Sequence, residues 1–142
     1  MAAKYNSATS VQHIMKMDTI TLTAEATVAN GSGGVTLNTG NGVSKTATIE
    51  KQDTGKYAIY WDVPAQVTLG VPQVAVINAA SGSGDLYSVQ VLSKFTTYNS
   101  SPVAGVSFQV YHLSGSTEAT PANPPQGATL VATVVASTSP VF

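Results

Sequence analysis

The chain has 142 residues, of which 43% are apolar and only 9% charged, with six lysines, no arginine, no cysteine and a formal net charge of −1. That is one domain's worth of polypeptide, long enough to bury a core, with a charged share far below the roughly 25% usual in soluble domains. The composition excludes a disulfide scaffold, a thiolate metal site and a cysteine nucleophile, and offers no basic footprint for nucleic acid. Disordered chains combine low hydrophobicity with high net charge, and this one has neither. Solubility must come from Ser, Thr, Asn, Gln and Gly, and a surface so poor in charge repels its neighbours weakly, which favours assembly.

Residues 1–17 are polar and weakly patterned. They are expected to form an extended N-terminal arm, with Tyr5, Val11, Ile14, Met15 and Met17 as its contact residues, because one or two helical turns are marginal without packing. The segment has no apolar run long enough for a signal-peptide core, so synthesis in the cytoplasm is expected. No stretch of the chain approaches the ~20 apolar residues that span a bilayer, and no membrane partner is expected.

Residues 18–142 read as a single β domain. In Thr19–Val28 the residues Ile20, Leu22, Ala24, Ala26 and Val28 share one face, opposite threonines and Glu25. A period of two marks a strand packed on one side. Threonine and valine, at eighteen copies each, favour the pleated backbone. Turn signals at Asn30–Gly34 and Asn38–Gly42 flank a short strand, Val35–Leu37, and Thr39–Gly42 is suited to a tight hairpin. Val43–Glu50 and Lys56–Val63 follow, split by a polar turn. Lys56–Val63 carries large side chains on both faces, which predicts a central or interface position, and Pro64 should end it. Val74–Asn78, Tyr87–Leu92, Phe95–Tyr98, Val106–Leu113 and Ala128–Ala136 complete eight or nine short strands. This spacing indicates a sandwich, a jelly roll or a barrel, and an antiparallel β-sandwich or jelly-roll-like fold is expected. Trp61, Tyr57, Ile59, Phe108 and Val110 are the expected core anchors. Residues 114–127 form the longest loop, and their prolines predict a protruding contact segment through Pro121, Pro124 and Pro125.

Signals for chemistry are sparse. His13 and His112 lack the clustered spacing of metal ligands. The seven carboxylates fall mostly at strand ends or in turns, where Asp caps its own backbone. Asp62 beside Trp61 suggests a sugar-site pairing, but Trp61 is better read as a buried anchor. No nucleophile elbow, P-loop or dinucleotide fingerprint occurs. Lys45, Lys51 and Lys56 read as edge lysines that block stray strand pairing. No enzyme activity, cofactor or metal is therefore expected.

The run Gly55-Lys56-Tyr57-Ala58-Ile59-Tyr60-Trp61-Asp62-Val63-Pro64 is similar to the Gly-x-Tyr-x-(apolar)-x-(aromatic)-x-x-Pro run of phage fibre and head-surface domains. Val106–Tyr111, a long loop and Leu130–Ala136 resemble their closing strand pair. Between Gly55 and Ala136, the chain resembles the head decoration, or cement, proteins of tailed bacteriophages, which are near it in length. The resemblance implies a structural virion protein on the capsid surface that stabilises contacts between major capsid subunits, as a dimer or trimer. The alternative it implies is a tail-fibre or receptor-binding module that recognises a host surface glycan.

Overall fold

Alternating apolar and polar residues dictate ten strands among the described residues: β1 (Asp18–Val28), β2 (Val35–Leu37), β3 (Ala47–Asp53), β4 (Lys56–Asp62), β5 (Thr68–Leu69), β6 (Gln73–Ile77), β7 (Asp85–Tyr98), β8 (Ser101–Ser114), β9 (Thr120–Pro121) and β10 (Thr129–Thr138). This computed structural model describes residues 18–38, 47–63, 67–77, 85–114 and 118–138. The expected arm at 1–17, the hairpin at Thr39–Gly42 and Pro64 lie outside those residues.

Every strand pair is antiparallel. The first sheet runs β2-β1-β10-β5, with β6 also on β10; the second runs β3-β4-β8-β7, with β9 on β8. The two pack face to face as the expected β-sandwich. The first and last long strands are neighbours, with Ala24 opposite Ala132. β4 sits between β3 and β8, the central place that its two-faced bulk predicts.

The core is asymmetric. The second sheet contributes Tyr57, Ile59, Trp61, Phe108 and Val110, all fully buried. The first contributes Leu22, Leu130 and Val134 among small residues such as Ala24, Ala132 and Ala136. Small side chains on one sheet make room for large ones on the other, which is how facing layers reach native density. The Trp61 indole reaches β1 and donates to the Thr23 carbonyl at 3.1 Å.

Three local features differ from the expectations. Tyr87–Leu92 and Phe95–Tyr98 are one strand, interrupted by register shifts between Val91 and Ser93 and between Phe95 and Thr97. β8 starts five residues before Val106, after a two-residue turn in which Asn99 and Ser100 both take positive φ, 49° and 66°. This conformation matches the right-handed strand twist.

Residues 118–127 do not stand off as a protruding loop. β9 pairs with β8, and the Ala122 amide donates to the Val110 carbonyl at 3.1 Å. The Gly55 amide donates to Asn123 Oδ1 at 2.8 Å. Pro124 is therefore buried and cannot be a contact residue, Pro125 is half-buried, and Pro121 is exposed. Gly55 has φ +66°, and a Cβ there would collide with the Ala122 carbonyl. The β3–β4 turn thus needs glycine both for its backbone and for this close approach.

Candidate functional site

Two sheet faces point away from the core, and they differ in chemistry. On the first sheet, β1 turns Thr21, Thr23, Glu25 and Thr27 outward, opposite Val135, Thr133, Val131 and Thr129 of β10. β6 adds Gln73, Ala75 and Ile77 along the other side of β10. Glu25 is the one ionisable side chain on this face among the described residues. It accepts a hydrogen bond from Asn38 Nδ2 at 3.1 Å, and Asn38 Oδ1 accepts one from Thr27 at 3.0 Å. Apolar groups remain open to solvent on and beside the face: Ile77 is 47% exposed, Val135 39% and Val71 83%.

The second sheet carries a cluster of aromatic side chains on its outer face. Tyr60 and Tyr98 stack with ring centroids 4.5 Å apart. Both hydroxyls donate to one carboxylate, Tyr60 to Glu50 Oε1 at 3.1 Å and Tyr98 to Glu50 Oε2 at 2.6 Å. Phe95 leans against both rings and lies over Gly105, where any Cβ would strike its ring. Phe95 covers β8 from outside at Gly105, and Val103 to Phe108 is buried without a break.

Beside the cluster runs a groove of about 370 Å³. Ser93 and Ser107, hydrogen bonded at 2.6 Å, lie between its ends. Gln52 and Lys56 line one end, and Phe95 and Tyr98 the other. The groove exists because small residues, Ala58, Ser107 and Ser93, occupy one cross-strand row between larger neighbours.

The phenols hold their protons strongly. Burial, then the Glu50 hydrogen bond, raises Tyr60, and the Glu50 hydrogen bond, then burial, raises Tyr98. Tyr57, inside the core, is pushed up to about 12 by burial. Its hydroxyl donates to the Gly33 carbonyl at 2.7 Å.

No family model, curated protein or solved structure matches the chain. The two outer faces must be read on their own chemistry.

Among the described residues, no three His, Asp or Glu side chains come together as a metal site, and no helix is long and apolar enough to cross a membrane. His112 is half-buried and stacks on Tyr87 at 4.6 Å. Trp61 and Asp62 point to opposite sides of β4, the indole fully buried and the carboxylate exposed, so they form no joint sugar site. Lys56 lies on the central strand β4 and lines the groove, while Lys51 lies on the edge strand β3. Tyr5, Val11, Ile14, Met15 and Met17 fall outside the described residues, as do His13 and Lys45. Sequence reasoning missed the Glu50–Tyr60–Phe95–Tyr98 cluster. Its available signal was Tyr60, a large ring on the face of β4 opposite Trp61.

Proposed function

We propose that this chain is a structural virion protein that binds the outer surface of an assembled phage capsid and stabilises contacts between major capsid subunits. It acts there as a homo-oligomer, after synthesis in the host cytoplasm. The observation that carries this reading is the outer face of the first sheet, uncharged among the described residues but for a hydrogen-bonded Glu25 and bordered by open valine and isoleucine side chains. The strands of this sheet, β1 and β10 long and β2, β5 and β6 short, at about 3.4 Å by 4.8 Å per residue give a face of roughly 500 Å². That is a little under two thirds of the ~800 Å² each partner contributes to a standard protein interface. Few salt bridges are available to such a contact, so it depends on shape fit and on excluding water. A protein that binds the closed shell and not its loose subunits stabilises the shell by mass action.

Thr133→Lys with Val135→Lys tests this face, since charges facing a subunit surface cost desolvation that the exposed side chain avoids in the free protein. The double variant should keep its melting temperature and lose co-sedimentation with purified shells. Undiminished co-sedimentation would contradict the reading. Removing residues 1–17 should also abolish attachment while the sandwich stays folded, as circular dichroism would register.

A further inference from the structure

The groove on the second sheet is left unused by a capsid contact through the first. Its construction is specific. Two tyrosines are fixed by a single carboxylate, with one hydrogen bond to each oxygen. Phe95 packs against Gly105 and is half-buried. At the other end Lys56 has Asp53 as its register partner across β3 but makes no ion pair with any described residue, and Glu50, one row further along, is engaged by the tyrosines. The Gln52 amide lies beside Lys56, and the hydroxyls of Ser93 and Ser107 line the space between the ends. Lys56 lies level with Gln109 of β8 and Phe95 level with Gly105, four residue steps or about 14 Å apart.

We propose that this groove binds an oligosaccharide containing a carboxylated sugar, with a pyranose face against Phe95 and Tyr98 and the carboxylate on Lys56. A sugar ring is apolar on its C–H face and hydroxylated at its edge, so it needs both an aromatic surface and neighbouring amides and hydroxyls. Rigid aromatic side chains give that surface at low entropic cost. Lys56 supplies a charge-assisted hydrogen bond to the carboxylate. Nucleic acid would also stack on aromatics, but its phosphates need several cations, and one lysine lines this groove.

The test is direct binding of the full chain to immobilised neutral, uronate-containing and sialylated oligosaccharides, with no capsid present. Uronate or sialylated members should bind, their neutral counterparts should not, and the two acidic sets tell which sugar supplies the carboxylate. Lys56→Gln should weaken binding roughly tenfold without moving the melting temperature. Tyr98→Leu should weaken it further, its fold checked by circular dichroism. Silence across the whole panel, equal binding of neutral sugars, or an indifferent Lys56→Gln would each overturn the assignment. Shell attachment is read separately, so loss of either activity leaves the other measurable.

Discussion

Trp61 fills the space between the sheets and places its one polar hydrogen on the Thr23 carbonyl. Trp61→Ala should therefore cost about 3–5 kcal/mol, from lost burial plus the cavity left behind. Urea denaturation would measure it, and a loss under about 1 kcal/mol would contradict the anchor role. The tyrosines make a second prediction. Tyr57 is pushed up to about 12 from an ordinary value of 10.0, and Tyr60 and Tyr98 are raised as well. A raised phenol keeps its proton in the folded chain after the unfolded chain has lost it. Their contribution is therefore fully present below the unfolded pKa near 10.0 and is lost as pH climbs through the folded one. Stability should be level through neutral pH in this respect and decline from pH 10 toward 12. Glu50→Gln removes the anion beside Tyr60 and Tyr98, so part of the phenolate absorbance should appear at lower pH. An unaltered alkaline titration would show that Glu50 does not hold these rings.

At the scale of elements, residues 118–127 close one end of the sandwich through contacts far apart in the chain. Asn123 accepts from Gly55, 68 positions away. Asn123→Ala should cost about 1 kcal/mol through that lost bond. Gly55→Ala should cost more, since it adds backbone strain and a collision with the Ala122 carbonyl; paired melting curves would rank the two. The same contacts explain what the sequence left hidden. Proline content alone suggests an extended segment and says nothing of where it lies, so Pro124 looked exposed. β1 was legible because one face is buried and the other is not, and the pattern has period two. The start of β8 was not, because both faces are covered from Val103 to Phe108 and alternation disappears. The two register shifts in β7 break the phase of its pattern and split one strand into two readings. The outer cluster is equally non-local: Tyr98 meets Glu50 across 48 positions, which no window of sequence spans.

For the whole molecule, the question is which surfaces are free to join others. One sheet edge is guarded. β7, one of the two edges of the second sheet, is broken by its two register shifts, and Lys94 crosses to donate to the Leu69 carbonyl at 2.9 Å. Such devices discourage edge-to-edge pairing. On β1, which β2 covers only from Ala26 to Val28, Trp61 occupies the Thr23 carbonyl. In the proposed role association runs through the faces, and among the described residues the face of the first sheet carries the least charge. The most direct measurement of the proposed role is the copy number of this chain in purified phage particles, by quantitative mass spectrometry against the major capsid protein. A shell component should be present in the hundreds, in a fixed ratio to capsid subunits; a handful of copies, or none, would contradict the account.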